Sequence, residues 1–230
     1  MSVFVIGDTH LSFSTDKPMN IFKGWDDYES RLEKNWQKLV EKDDTVIITG
    51  DISWGMSLEE SAKDFEFLHK LNGKKIILKG NHDYWWNTAT KMNKFIEEKG
   101  FDSLSFLHNN AFRVDDIAIA GSRGWFFDAE SENIDKVLAR ECERIQRSID
   151  MAKELCGETV VFLHYPPVSN YKDCDPIVEV LTRNEIKRCY YGHLHGGAIK
   201  GAVNGEKYGI EFRLVSADYL EFCPLHIKSK

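Results

Sequence analysis

Histidine, aspartate and asparagine gather in five short motifs of this sequence, each directly after an apolar run. The motifs are GDTH at 7–10, GDISWG at 50–55, GNHD at 80–83, HYPP at 164–167 and GHLHG at 192–196. The candidate metal ligands in them are Asp8, His10, Asp51, Asn81, His164, His193 and His195. They offer carboxylate and amide oxygens and imidazole nitrogens but no thiolate, which suits two divalent transition-metal ions (Mn, Fe or Zn) better than Ca or Mg.

The spacing within two of the motifs also suits a shared site. Asp8 and His10 are two residues apart, and so are His193 and His195. In extended backbone such pairs point to the same side, so each pair can aim at one point. A single polar residue after a strand is usually a cap, but five such motifs in one chain are hard to assemble by chance.

The apolar runs before the motifs predict the elements that position them. Five runs read as buried strands, at 2–6, 45–49, 75–78, 116–121 and 159–163, and the motif at 192–196 follows the further run RCYYG at 188–192. Their nearly continuous apolar character favours sheets that are covered on both faces. In open α/β sheets the binding site lies at the carboxyl ends of the strands, which is where the motifs stand.

Amphipathic stretches between the runs predict helices. We expect them at 57–71, where Ser57 and Glu60 form a capping-box pattern, at 131–156, and after an Asp175 N-cap with Pro176 at the first position. An earlier helix is marked by Tyr28, Leu32, Trp36 and Leu39. A last strand at 208–217 is predicted to be antiparallel. Strand–helix alternation without a linker indicates one α/β domain over residues 1–230 with mainly parallel strands.

The composition and net charge of the chain limit the kinds of molecule that it is expected to bind. The formal net charge of −7 argues against a surface that grips nucleic acid, although a local cation still allows a small phosphorylated substrate. Five cysteines without a CxxC pattern indicate neither a disulfide framework nor a cysteine zinc site. With no signal-peptide pattern and no apolar stretch of about 20 residues, we expect a cytoplasmic protein without a membrane partner.

The five motifs, in this order and spanning residues 7–196, resemble the signature of calcineurin-like metallophosphoesterases. The resemblance implies an α/β fold in which two β-sheets with mainly parallel inner strands form a sandwich flanked by helices. It also implies a two-metal centre at the strand ends and hydrolysis of a phosphate monoester or diester by a metal-bridging hydroxide.

Roles carry over from the resemblance residue by residue. One ion would be held by Asp8, His10 and His195. The other would be held by Asn81, His164 and His193. Asp51 would bridge both ions, His82 would act as general acid, and Asp83 would orient and charge the His82 imidazole.

The sequence departs from the phosphoprotein-phosphatase branch of that family. Trp54 stands where that branch has an aspartate, no arginine follows it, and the third motif is GNHD rather than GNHE. These differences argue against protein-phosphatase activity. Arg123, directly after the run at 116–121, is a candidate phosphate clamp. The alternative is a surface or helix-capping ion pair.

Several alternatives stay open at the level of sequence. Residues 11–27 suit either a lid or an irregular crossover. One alternative is a non-catalytic metal-binding scaffold of the same fold, and another is an enzyme with the same centre, a phosphodiesterase that processes nucleic acid. The aromatic residues near the motifs suit either a slot for a leaving group or ordinary core packing; they are Trp54, Tyr84, Trp85, Trp86 and Trp125.

Overall fold

The computed structural model describes residues 1–125, 134–155 and 157–228. Its strands are β1 (Val3–Ile6), β2 (Thr45–Ile48), β3 (Lys74–Ile77), β4 (Leu104–Phe106), β5 (Phe112–Val114), β6 (Ile117–Ser122), β7 (Glu158–Leu163), β8 (Arg188–Tyr191), β9 (Gly205–Lys207), β10 (Ile210–Leu214) and β11 (Leu225–Ile227). Its α-helices are α1 (Tyr28–Leu39), α2 (Ala62–Lys70), α3 (Ala89–Lys99), α4 (Ile134–Glu154) and α5 (Asp175–Arg183). Short 3-10 turns cover Met19–Ile21 and Gly196–Gly201.

The strands form two mixed sheets. The first has the order β11-β1-β2-β3-β4, in which β1 to β4 run parallel and β11 is antiparallel. The second has the order β5-β6-β7-β8-β10-β9, in which β6, β7, β8 and β10 run parallel and the two edge strands are antiparallel. The inner strands of both sheets therefore end at a common edge.

Buried side chains divide into three clusters that define the layers. One cluster joins the two sheets, with Val5 and Ile47 of the first packed with Ile119 and Phe162 of the second. A second packs α1, α2 and α3 on the outer face of the first sheet, and a third packs α4 and α5 on the second. The order is helices, sheet, sheet, helices, which confirms the predicted α/β sandwich.

The predicted strands are all present, but the last one differs in direction. Residues 210–214 were expected to be antiparallel, whereas β10 pairs parallel with β8 and is antiparallel only to β9. Therefore the carboxyl end of β10 lies at the same edge as the five motifs.

Helix boundaries differ from the prediction by a few residues. The backbone N–H of Glu60 does donate to Ser57 Oγ (3.2 Å), but this turn precedes the helix, which begins at Ala62. Cys174, not Asp175, is the N-cap of α5. The predicted helix at 131–156 is observed as α4, and residues 131–133 and 156 lie outside the described residues. No described helix combines the length and apolar character needed to cross a membrane.

Candidate metal centre

The predicted ligands lie together where the two sheets meet. Asp8, Asp51 and Asn81 follow strands of the first sheet, and the three histidines His164, His193 and His195 follow strands of the second. Within the described residues, the histidine and aspartate donors form two groups whose ligand atoms lie within 4.8 Å of one another.

The first group consists of Asp8, His10 and His195. The Nε2 atoms of His10 and His195 are 3.3 Å apart, and His195 Nε2 lies 3.3 Å from Asp8 Oδ1. Two atoms that each bind an ion at about 2.1 Å lie roughly 3 to 3.5 Å from each other. The spacing of this group therefore fits one transition-metal ion.

The second group contains His164 and His193, with Asn81 between them. Asn81 Oδ1 lies 2.6 Å from His164 Nε2 and 2.9 Å from His193 Nδ1. A neutral amide oxygen and two imidazoles converge here, which suits a second ion with nitrogen and oxygen ligands.

Asp51 lies between the two groups. Its Oδ2 is 3.7 Å from His10 Nε2 and 3.6 Å from His164 Nε2, while its Oδ1 accepts the backbone N–H of His82 at 2.8 Å. One carboxylate oxygen thus faces both groups, which is the position that a bridging ligand needs.

Outer contacts orient two of the imidazoles. The Nδ1–H of His164 donates to the Thr49 carbonyl (3.0 Å), and that of His195 donates to Asp218 Oδ1 (3.0 Å). In His164 this leaves the Nε2 lone pair facing the groups, the tautomer that binds a metal, and in His195 Nε2 faces the first group and can bind an ion once its proton is displaced.

Asp218 is a residue that sequence reasoning missed. It lies in the segment after β10 and also accepts the backbone N–H of Gly196 through Oδ2 (2.9 Å), so it holds the motif at 192–196 in place. Its signal was the same as for the five motifs, a carboxylate beyond the end of a strand. The prediction of an antiparallel strand placed that end at the opposite edge.

The ligand pairs converge because of their backbone conformation, which differs from the extended conformation that the spacing predicted. Asp8, His10, Asp51 and His193 have positive φ, from 44° to 72°, so the two ligand pairs converge through left-handed turns rather than extended strands. A Cβ on Gly192 would lie 2.3 Å from Asp8 Oδ2. The site therefore needs glycine next to the ligand as well as unusual ligand backbones.

Electrostatics favour cation binding by these residues. Burial lowers the pKa of His10 and His164, and burial together with His164 lowers the pKa of His193 to about 3, so these imidazoles stay neutral as ligands must. Burial also disfavours a charged His195, but Asp8 and Asp218 outweigh it and raise its pKa to about 10. Burial, followed by the Asp8 charge, raises the pKa of Asp51 to about 8. The donor set therefore attracts positive charge, and it fits two divalent ions.

His82 lies beside both groups but belongs to neither. Its half-buried ring packs 4.6 Å from the Trp54 ring and 5.8 Å from the His10 ring, and its Nδ1 is 3.3 Å from the Tyr84 hydroxyl. Burial, then His164 and His195, lowers the pKa of His82.

Asp83 does not hold the His82 imidazole, which corrects the expected role. Its buried carboxylate accepts the backbone N–H groups of Asp51 (2.9 Å), Ile52 (2.8 Å) and Gly80 (2.7 Å). It also accepts the indole N–H of Trp85 at 3.0 Å. Because both oxygens are used in this way, Asp83 fixes the two turns that carry Asp51 and Asn81.

Arg123 lies next to the second group through its main chain. Its carbonyl accepts the backbone N–H groups of His164 (3.1 Å) and Tyr165 (2.8 Å). Its guanidinium carbon lies 5.6 Å from the Trp125 ring centre and 6.0 Å from that of Tyr165. Arg123 forms no ion pair with a described residue, and its role as a phosphate clamp stays a prediction.

A cavity of about 440 Å³ opens in front of the first group. His10, His82 and His195 line it together with Trp54, Trp25 and other residues of the segment 11–27. That segment supplies one wall, since Met19, Phe22 and Lys23 also face the cavity. Of the other aromatic candidates, Trp85 is buried in the core and Trp86 packs against it.

The fold and the paired ligand groups define a metallophosphoesterase-like protein, and the family comparison agrees. Residues 1–197 match the family described as calcineurin-like phosphoesterase, so the chain belongs to this family.

Individual relatives are distant. An uncharacterized protein of Methanocaldococcus jannaschii, MJ1445, is 24% identical over 193 residues, covering 81% of this chain and 94% of that protein. Among solved structures, a protein of unknown function from Aquifex aeolicus, AQ665, has a TM-score of 0.54 at 16% identity and covers 98% of this chain and 95% of its own. The phosphopantetheinyl hydrolase PptH from Mycobacterium tuberculosis has a TM-score of 0.51 at 15% identity, covering 94% and 88%. At these identities the structures support the fold alone.

Proposed function

We propose that this protein is a cytoplasmic phosphoesterase that uses two divalent transition-metal ions, Mn, Fe or Zn, to hydrolyse a small phosphate ester. The observation that carries the proposal is the arrangement of two ligand groups around one oxygen of Asp51, with His82 beside them and free of both. When bound, two such ions supply the Lewis acidity that activates water and neutralises phosphoryl oxygens.

The chain's own residues supply the other parts of the reaction. Asp8 accepts the backbone N–H of His193 through both oxygens (2.9 and 3.0 Å), and this contact joins the two ligand groups. His82 gives its proton to the leaving oxygen, and because burial lowers the pKa of His82, this step uses the minor protonated fraction of the ring at neutral pH. Trp54 and Tyr84 hold the His82 ring at the mouth of the 440 Å³ cavity.

The cavity supports a small organic leaving group. It is walled largely by rings and apolar side chains, including Trp25, Trp54 and Phe22, and has the dimensions of a small-molecule site. The four described cysteines are Cys142, Cys174, Cys189 and Cys223, and all are free thiols, which supports a reducing compartment.

Two rival functions have less support. A scaffold that has lost catalysis typically lacks ligands or the acid, whereas here every ligand position and His82 are filled. A phosphodiesterase acting on nucleic acid needs a basic groove, and the net charge of −7 does not favour one.

Metal-reconstituted protein assayed against phosphomonoesters, phosphodiesters, nucleotides and long nucleic acids tests the proposal. We expect turnover of small esters that is lost on chelation and restored by Mn, Fe or Zn, with Asp51→Asn as the inactive control. Protein that holds two ions and turns over none of these substrates would favour the scaffold. Preferential cleavage of long polymers would favour the phosphodiesterase.

A further inference from the structure

A second, smaller cavity lies at the carboxyl ends of β3 and β6 and is rich in cationic side chains. Its volume is about 170 Å³, and it is lined by Lys79, Leu107, His108, Ser122, Arg123 and Arg144. The proposed reaction uses none of these residues except Arg123, whose guanidinium now lies among other cations.

The positive charge of this cavity is only partly compensated within the described residues. Glu141 is the carboxylate beside it, and one of its oxygens pairs with Arg144 at 3.1 Å. The other oxygen accepts the backbone N–H of Gly124 (3.0 Å) and the Ser122 hydroxyl. Lys79 and Arg123 form no ion pair with a described residue, and the carboxylates of Asp83 and Glu141 are the two that act on Lys79, so the three cationic side chains outnumber the carboxylates near them.

An unsatisfied donor points to the same conclusion. The Nε–H of Arg123 is buried and finds no hydrogen-bond acceptor among the described residues. A buried donor on a charged group without an acceptor is costly, and native proteins seldom leave one. Lys79 and Arg144 line this cavity together with His108, and the pKa of His108 is lowered by burial and then by these two cations.

The cavity adjoins the second ligand group through two backbone connections. Lys79 is two residues before Asn81, a distance of at most roughly 7 Å between their Cα atoms. The Arg123 carbonyl accepts the backbone N–H of His164 at 3.1 Å. The apolar cavity beside His82, in contrast, is lined by residues of the first group, so the two cavities adjoin different ligand groups of the same centre.

We propose that the cationic cavity binds a second phosphate-type group of the substrate, beyond the phosphoryl group that is cleaved. This inference rests on the proposed function. The guanidinium groups of Arg123 and Arg144 match the oxygens of such a group, and Lys79 adds a point charge. Free inorganic phosphate has the same chemistry and is the other possible source of the bound anion.

Inhibition by phosphonates separates the second group from the cleaved one. Straight-chain α,ω-alkane bisphosphonates of increasing length are compared with alkyl monophosphonates as inhibitors of 4-nitrophenyl phosphate hydrolysis. We expect one bisphosphonate length to bind roughly 10- to 100-fold more tightly than the monophosphonate, the scale of one or two charge-assisted hydrogen bonds. In Arg144→Gln and Lys79→Met this advantage should fall at least 10-fold, while 4-nitrophenyl phosphate turnover stays near wild type.

The variants and the control separate the possible explanations for a change in bisphosphonate affinity. Arg147→Gln removes an exposed arginine of the same helix and should keep the full bisphosphonate advantage. Lys79→Met leaves the Glu141–Arg144 pair intact, so it covers the case in which Arg144→Gln disturbs α4. If Arg123 clamps only the cleaved phosphoryl group, Arg123→Gln will weaken monophosphonates and bisphosphonates equally.

A binding measurement independent of activity completes the test. Inorganic phosphate titrated calorimetrically into metal-free protein should bind the wild type and Asp51→Asn but not Arg144→Gln. If that pattern holds without any esterase turnover, the cavity stands and the proposed function fails. If phosphate binds in this way but no bisphosphonate gains affinity, the cavity takes free phosphate and the assignment to the substrate is overturned. Binding that does not depend on Arg144 or Lys79 would overturn the anion site itself.

Discussion

At the scale of single residues, His82 separates metal binding from proton transfer. Its ring contacts Trp54 and Tyr84 and lies outside both ligand groups, so His82→Asn should leave both ions bound. An alkoxide is a poor leaving group unless it is protonated, because its pKa is high, whereas a nitrophenolate leaves readily without a proton. We expect kcat/KM to fall about 100- to 10,000-fold for alkyl phosphates and much less for nitrophenyl phosphates.

The two substrate types serve as each other's control in this experiment, with metal content measured in both proteins. Equal losses on both substrates at full metal loading would show that His82 binds the phosphoryl group rather than donating a proton. Loss of metal from the variant would instead place His82 among the ligands.

Asp218 allows a prediction for one ligand group alone. Its carboxylate accepts the Nδ1–H of His195 and thereby makes Nε2 a stronger donor toward the first ion. Asp218→Asn should weaken the affinity of that ion roughly 10- to 100-fold, while the ion at Asn81, His164 and His193 is affected less.

Zinc titration in a metal buffer, followed for both binding steps, measures this difference. Glu221→Gln changes an exposed acid in the same segment and should have no effect on either step. A loss of equal size at both steps would mean that Asp218 acts through the whole site rather than through His195.

Residue types at the motifs were enough to predict which side chains gather, but not how each one points. The predicted ligands do lie together around Asp51. The expected contact between Asp83 and His82 is absent because the turn at 80–83 directs the carboxylate back to the N–H groups of Asp51 and Ile52. Side-chain direction in such a turn depends on backbone angles that a motif does not specify.

At the scale of elements, the prediction of strands from the sequence was limited by the direction of one strand and by the short length of others. The five apolar strands were recognisable because each is a nearly continuous buried run, but β4, β5, β9 and β11 have only three residues each and were not predicted. β10 has alternating buried and exposed residues, as antiparallel strands often do. Its pairing with β8 is decided by tertiary packing, and this is why Asp218 was missed.

Lys75 connects a helix end to a strand and provides a test at this scale. Its side chain is buried, and its ammonium group donates to the carbonyls of Leu71, Gly73 (2.8 Å) and His69 (3.4 Å). These include carbonyls at the C-terminal end of α2 that have no partner within the helix. Lys75→Met should therefore lower the free energy of unfolding by about 1 to 3 kcal/mol.

The pH dependence tests the burial of the Lys75 amine. Burial lowers the pKa of Lys75 to about 8 from an ordinary value of 10.5, so between these values the unfolded chain holds more protons than the folded one. The free energy of unfolding of the wild type, relative to Lys75→Met, should therefore rise from pH 8 to pH 10. Denaturant unfolding of both proteins at several pH values measures it, and a constant difference would contradict the shifted pKa.

At the scale of the whole molecule, the metal centre lies across two sheets, which are also joined beside it by backbone hydrogen bonds of Gly7 with Val215 and Ala217. The first sheet supplies Asp8, His10, Asp51 and Asn81, and the second supplies the other three ligands. Away from the centre the sheets are held together mainly by an apolar interface, which includes Val5, Ile47 and Phe162. Bound ions would therefore stabilise the packing of one half of the sandwich on the other, as well as supplying chemistry.

Metal binding should consequently appear as thermal stability. An ion present at about 100 times its dissociation constant stabilises the folded state by about 2.7 kcal/mol if the unfolded chain does not bind it. For a protein of this length that corresponds to a rise in Tm of roughly 5 to 10 °C for each ion. Calorimetric scans across a range of metal concentrations should show the rise in Tm, and Asp51→Asn should abolish most of it because this carboxylate faces both groups.

The control for this experiment is Asp43→Asn, which changes an exposed carboxylate just before β2 and should keep the wild-type dependence of Tm on metal. A Tm that does not depend on metal in the wild type, with two ions shown to be bound, would mean that the unfolded chain binds the ions as tightly as the folded protein does, and the predicted stabilisation by metal would be wrong.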